Sequence, residues 1–126
     1  MNKILIVDDE EKVRKLVEIT LSIGKVEILH ASSGEEGLKI AGETVPDIIL
    51  LDVMMPGRFD GFDVCKLLKE DPATKDIYII MLTAKGQKAD KVKGFASGAD
   101  DYFVKPFSPM ELMKKIDEVL SHSTKL

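Results

Sequence analysis

The sequence predicts an α/β domain in which a parallel sheet carries helices on both faces. Short continuous apolar runs, KILIV (3–7) and IILL (48–51), have the length and uniformity of strands covered on both sides. Stretches with apolar residues three and four apart alternate with such runs along the chain. No linker, repeat or low-complexity segment interrupts the alternation, so one domain is expected to fill the 126 residues. Right-handed helical crossovers then make neighbouring strands parallel.

Each element has its own signal. KILIV gives the first strand, and Val13, Leu16, Val17 and Leu21 mark the inward face of a first helix over about residues 10–23. VEILHA (26–31) is the second strand; Ser33 opens the second helix, with Glu36 three residues on as a capping box. IILL is the third strand, and Val64, Leu67 and Leu68 mark the third helix. IYIIML (77–82) is the fourth strand, followed by a weaker helical pattern at Ala89, Val92 and Ala96. YFV (102–104) is the fifth. The last helix has the clearest start, with Ser108 as N-cap, Pro109 at the first helical position and Glu111 completing the box. Leu112, Ile116, Val119 and Leu120 form its buried face, and the polar SHSTKL (121–126) is expected to fray.

Composition narrows the function. With 44% hydrophobic and 32% charged residues the chain reads as an ordinary soluble globule. A net charge of −4 argues against direct nucleic-acid binding. No apolar run approaches the roughly 20 residues of a membrane span. MNKILIVDDE is too short and too acidic for a signal peptide, which predicts a cytoplasmic protein. The single cysteine, Cys65, lies at helical spacing in FDVCKLL and reads as a small buried apolar residue. With only His30 and His122 besides, zinc is not expected.

The acids are the informative residues. In an open α/β sheet, ligands gather beyond the carboxyl ends of the strands. Strand 1 runs into Asp8-Asp9-Glu10-Glu11, strand 3 into Asp52, strand 4 into Thr83-Ala84 and strand 5 into Lys105-Pro106. Acids before a helix also serve as caps, so the first pair alone would be unremarkable. The fold, however, carries three carboxylates, a hydroxyl and an ammonium to one edge. Three close carboxylates repel one another, and a divalent cation removes the conflict. Few oxygen ligands with room for water suit Mg2+ better than Ca2+. Lys105 and Thr83 offer a charge and a hydroxyl to phosphate oxygens. These are the parts phosphoryl transfer requires, with Asp52 as the carboxylate nucleophile that becomes an acyl phosphate.

VDDE (7–10), LLDVMMPG (50–57), LTA (82–84) and GADDYFVKPF (98–107) occur together in an order and spacing that resemble the receiver domain of bacterial two-component response regulators. The resemblance covers about residues 2–121, with a receiver domain over 1–122 and a polar tail at 123–126. It implies a flavodoxin-like (βα)5 three-layer sandwich with strand order 2-1-3-4-5, the order for which a receiver is a standard example. Position by position, it implies that Asp52 is the phosphoacceptor. Asp9 is then the direct ligand of Mg2+ (or Mn2+), Asp8 a water-mediated one, and the Met54 backbone carbonyl a third protein ligand. Lys105 would pair with phosphoryl oxygens, Thr83 would move toward them, and Tyr102 would be the switch aromatic. Met54 and Lys85 fall where the phosphorylated lifetime is tuned, and Lys105-Pro106 where the family has a cis peptide.

As a family member the chain would be a signalling switch, catalysing only its own phosphotransfer and dephosphorylation. It would take its phosphoryl group from a sensor histidine kinase or phosphotransfer protein. Its readout surface would be the helix around 89–96, the fifth strand and the last helix, presented to a downstream protein or a fused effector. Alternatively it is the receiver of a DNA-binding transcriptional regulator. Lys91, Asp101, Glu111 and Lys115 sit where family members pair charges across a phosphorylation-linked dimer, although Ala96 replaces an expected acid. The loop MPGRFDG (55–61) is one residue longer than usual; Arg58 or Phe59 could approach the site, but a solvent-facing bulge is expected. Two rivals fit less well. An FMN binder needs a Ser/Thr/Gly-rich loop where DDEE stands, and a haloacid-dehalogenase-type phosphatase needs an acid where Met54 stands.

Overall fold

A computed structural model describes residues 2–21, 26–83, 92–93 and 95–123. In chain order it contains β1 (Asn2–Val7), α1 (Glu11–Leu21), β2 (Val26–Ala31), α2 (Gly34–Thr44), β3 (Ile48–Asp52), α3 (Gly61–Glu70), β4 (Tyr78–Thr83), β5 (Asp101–Val104) and a C-terminal helix (Pro109–Ser123). All neighbouring strands pair in parallel, in the order β2-β1-β3-β4-β5. Of the stretch expected to form a fourth helix, residues 92, 93, 95 and 96 are helical; Ala89 and Lys91 lie outside the described residues. The final helix runs through Ser123, into the stretch expected to be tail, and 124–126 lie outside the described residues.

Side-chain alternation along the strands builds two cores. Leu5, Val7, Ile49, Leu51, Ile79 and Met81 face α2 and α3, where Ala41, Val64, Cys65 and Leu68 meet them. Ile4, Ile6, Ile48, Leu50, Ile80 and Leu82 face the opposite way, onto Val17 and Leu21 of α1 and Leu112 and Ile116 of the C-terminal helix. The continuous runs are thus apolar because β1, β3 and β4 are covered on both faces. Among the described residues, four on the expected apolar helical patterns are exposed: Val92, at 65%, and Ala96 in the 89–96 stretch, and two more on α1 and α3. Leu16 and Leu67 are exposed, at 51% and 41%. Val17 and Leu21 carry the contact on α1, and Phe62, Val64, Cys65 and Leu68 on α3. Among the described residues, no helix is long and apolar enough to cross a membrane.

The caps show how local chemistry starts the helices. Ser33 accepts from the Glu36 N–H at 3.2 Å, but the Glu36 carboxylate reaches one residue further back than a standard box, to the Ser32 N–H at 2.7 Å. Ser108 accepts from the Glu111 N–H at 3.3 Å. At α3, Asp60 and Asp63 form a reciprocal box, at 2.9 and 3.1 Å, whose first acid lies within the stretch the sequence marks as loop. Cys65 is buried as expected; burial pushes its thiol up to about 11, and Sγ donates to the Ser97 carbonyl at 3.5 Å.

The loop before α3 faces solvent at Pro56, Gly57 and Arg58, as expected, but turns inward at Phe59. Phe59 is half-buried and packs on the α2/α3 core, while the exposed Arg58 guanidinium lies 5.1 Å from the Phe59 ring centroid. Gly34 makes this possible, since a Cβ there would lie 2.7 Å from the Phe59 carbonyl oxygen. Gly61 is just as constrained. Its N–H donates to the Val53 carbonyl at 3.0 Å, and a Cβ would fall inside contact distance of the Asp52 carbonyl oxygen and 2.8 Å from Val53 Cα.

Gly61→Ala is therefore expected to destabilise the protein by about 2 kcal/mol or more, since the opposing atoms are backbone and cannot turn away. Gly42 is the control: it lies inside α2 with nothing within 4 Å of a Cβ. Gly42→Ala should stabilise by about 0.5–1 kcal/mol. Urea unfolding of both variants checks the pair; equal shifts would contradict the packing described.

Candidate functional site

The carboxyl ends of β1 and β3 lie side by side, with Val7 opposite Leu51 in register. Asp8 leaves β1 and is fully buried, and Asp52 ends β3 with 4% of its surface exposed. Asp9 follows Asp8 and is exposed. Oxygen atoms of Asp8, Asp9 and Asp52 all lie within 4.8 Å of one another. Lys105, one residue beyond β5, reaches over this group, its Nζ 2.9 Å from Asp8 Oδ2 and 3.4 Å from Asp52 Oδ1. The peptide bond that follows it, Lys105-Pro106, is cis. The Lys105 N–H donates to the Thr83 carbonyl, tying this turn to the end of β4.

Each acid is held differently. Asp8 Oδ1 accepts from the Glu10 N–H at 2.9 Å and Oδ2 from Lys105. Its own N–H donates to Ala31 of β2 at 3.1 Å. The Asp8 carbonyl accepts from Arg14 Nη1 at 2.7 Å. Asp52 Oδ1 receives a long hydrogen bond, 3.4 Å, from the Met54 N–H. Burial, and after it the charge of Asp8, pushes the Asp52 carboxyl up to about 6, against the opposing pull of Lys105 and the Met54 N–H. For Lys105, burial works against the ammonium, but the Asp8 hydrogen bond and the charges of Asp52 and Asp8 outweigh it. Its pKa stands above the usual lysine value.

The remaining expected residues lie around this group. Thr83 ends β4, one residue past Leu82, the register partner of Asp52, and is 2% exposed. Tyr102 stands on β5 opposite Met81, half-buried against the α2/α3 core, its ring centroid 6.4 Å from that of Phe95. The Met54 side chain is 71% exposed. Lys85 lies outside the described residues. Arg14 was missed in the sequence because it belongs to no motif; its one signal is its place in the first turn of α1, six residues after Asp8.

The acidic cluster could hold a metal ion. Its donors are all carboxylate oxygens, the set that hard divalent cations prefer, and a fully buried Asp8 beside a second buried acid is a costly arrangement without positive charge.

The raised Asp52 pKa has a stability consequence of definite sign. The folded state binds the proton more tightly than the unfolded chain, whose value is 3.8, so Asp52 favours folding most below that value. This contribution is lost as pH rises through about 6. Without divalent metal, Asp52→Asn should be more stable than the parent at pH ~7.5 by on the order of 1 kcal/mol, with the gap shrinking toward pH ~4. Thermal unfolding at several pH values checks this; a pH-independent gap would contradict it.

Residues 4–117 match the family model described as the response regulator receiver domain. The transcriptional regulatory protein ResD of Bacillus subtilis is 45% identical over 122 residues, 97% of this chain and 49% of ResD. The chemotaxis protein CheY4 of Vibrio cholerae superposes with a TM-score of 0.87 at 36% identity, covering 94% of this chain and 98% of that one. DrrB of Thermotoga maritima, an OmpR/PhoB homolog, gives 0.86 at 32% identity, covering 98% of this chain and 54% of DrrB. The chain spans about half the length of the curated relatives it matches. With the strand order and the site geometry, these similarities establish that the chain belongs to the response regulator receiver domains, the signalling domains of two-component systems.

Proposed function

We propose that this chain is a phosphorylation-dependent switch that accepts a phosphoryl group on Asp52 from a sensor histidine kinase or a phosphotransfer protein. The observation that carries the reading is the pairing of a nearly buried Asp52 with the Lys105 ammonium at 3.4 Å, inside a cluster of acids close enough to share one cation. Asp8, Asp9, Asp52 and the Met54 carbonyl would hold Mg2+, or Mn2+ in its place. Bound there, the ion would offset the charge of the crowded carboxylates and of the incoming phosphoryl oxygens.

The chain's own residues do the rest. An Asp52 carboxylate oxygen attacks the phosphorus of the donor phosphohistidine. The new O–P bond forms as the P–N bond breaks, the electron pair leaves with the imidazole nitrogen, and that nitrogen takes a proton from water. Lys105 turns from Asp52 to the added oxygens, and the Thr83 hydroxyl donates to another. The modification adds roughly two negative charges and three acceptors, which only displacement of Thr83 and Lys105 can satisfy. Tyr102 follows Thr83, biasing the surface made by the helical residues around 92–96, β5 and the C-terminal helix. The only reactions catalysed are this transfer and the later hydrolysis. We place the switch in the cytoplasm, with a downstream protein as its target, away from membrane and nucleic acid.

A second reading is favoured by one observation. The relatives named transcriptional regulators are about twice as long as the stretch they share with this chain. On that reading the readout surface acts on a fused DNA-binding domain, with dimerisation through the same face. Asp101 pairs with Lys115 inside the chain at 3.1 Å, so such a dimer would have to exchange this pair for contacts with a partner.

Incubation with a small phosphodonor and Mg2+, followed by intact-mass and peptide mass spectrometry, tests the central claim. One phosphoryl group is expected on the parent and none on Asp52→Asn or on parent treated with chelator. Equal modification of the variant would move the site elsewhere. Met54→Asn is expected to change the half-life of the phosphorylated form while shifting stability by less than about 0.5 kcal/mol, since the side chain is exposed. A half-life equal to the parent's would remove Met54 from that role.

A further inference from the structure

We infer that Arg14 is a positioning residue for the acidic site, fixing the peptide between Asp8 and Asp9 and through it the exposed Asp9 carboxylate. The inference rests on the cation-site reading above. Every polar atom of Asp8 is engaged by a different part of the fold: its N–H by Ala31 of β2, Oδ1 by the Glu10 N–H, Oδ2 by Lys105 and its carbonyl by Arg14. The first three set the strand end and the carboxylate. The carbonyl sets the plane of the next peptide, because that plane is rigid, and the plane sets the direction in which Asp9 leaves it. Arg14 Nη1 holds that carbonyl at 2.7 Å.

The placement of Arg14 has a cost that argues for a role. Its Nε is buried and, among the described residues, has no hydrogen-bond partner. An ordinary helix-surface arginine keeps its guanidinium in water while its stem covers apolar surface. Here Nη1 reaches the Asp8 carbonyl while Nε is out of water. Buried donors without partners are rare in native proteins and each calls for an explanation. A positive charge opposes a metal in the site, and attraction to nearby acids such as Glu11 requires neither a carbonyl contact nor a buried Nε, so charge does not supply one. The clamp can.

These two effects have opposite signs, which makes the inference testable by metal affinity rather than by phosphorylation. Mg2+ binding is measured by calorimetry on the parent, on Arg14→Met, which keeps the apolar stem, on Arg14→Lys, which keeps the charge, and on Asp9→Asn. Thermal unfolding without metal reports folding separately. The clamp predicts roughly ten-fold weaker binding for Arg14→Met, the loss typical of residues that orient metal ligands from behind. It predicts an intermediate loss for Arg14→Lys, which offers one mobile donor. Unchanged or tighter binding by folded Arg14→Met overturns the inference while leaving the cation site intact. If Arg14→Met does not fold, Arg14→Lys decides: parent-like affinity overturns the clamp, because the fixed guanidinium fork is then not needed. Absence of Mg2+ binding by the parent, or full binding by Asp9→Asn, overturns the cation-site reading itself.

Discussion

One ammonium holds together the working edge of this protein. Lys105 lies 97 residues after Asp8 in the chain, yet its Nζ is within 2.9 Å of that acid and 3.4 Å of Asp52. Two carboxylates this buried, side by side, would disfavour the folded state if both were ionised and unpaired. The sheet must therefore deliver a cation to the mouth of its central strands, and its order achieves this. β1 and β3 set the two acids next to each other, β4 adjoins β3, and β5 ends the sheet so that the next turn can fold back over the gap. The hydrogen bond from the Lys105 N–H to the Thr83 carbonyl registers that turn on β4.

Stability and reactivity are separated by position. The two cores, one on each face of the sheet, are built mostly from aliphatic side chains, and the Cys65 thiol is the one titratable group among their described buried residues. The charges that matter are placed at the strand ends or just past them, where Asp8 and Asp52 are still out of water and Asp9 is exposed. That is why the Asp52 carboxyl can be pushed up to about 6 without disturbing the packing beneath it. A site of this kind is a local excess of negative charge on a rigid base. Anything that changes its charge has to be answered by movement of Lys105, Thr83 or the loops that carry them.

Much of this was legible in the sequence because strand ends are legible. A continuous apolar run that stops at Asp8, Asp52, Thr83 or Lys105 names both a strand and the residue at its mouth, and parallel topology does the gathering. What escaped were features that depend on which neighbour covers a helix or on contacts with backbone atoms. Leu16 and Leu67 fit the helical period, but period alone does not say where the covered stripe ends; Val17 and Leu68 carry the contact instead. The Asp60–Asp63 cap uses acids at both positions in place of the Ser and Glu that mark the starts of α2 and the C-terminal helix. Arg14 grips a carbonyl, and a carbonyl has no letter in the sequence. Glu36 shows the same limit in miniature: the pattern names the residue, and the backbone decides that its partner is the Ser32 N–H.

The contact between Phe59 and Gly34 reaches beyond packing. The segment after Asp52 and the opening of α2 are moulded to each other, because the Phe59 carbonyl occupies the space a side chain at position 34 would need. The two stretches are thus one unit of inheritance although more than twenty residues apart in the chain. Grafting a segment without Phe59 would bare the start of α2, and enlarging residue 34 would evict the native one. Chimeras that keep this protein's character must exchange both pieces together.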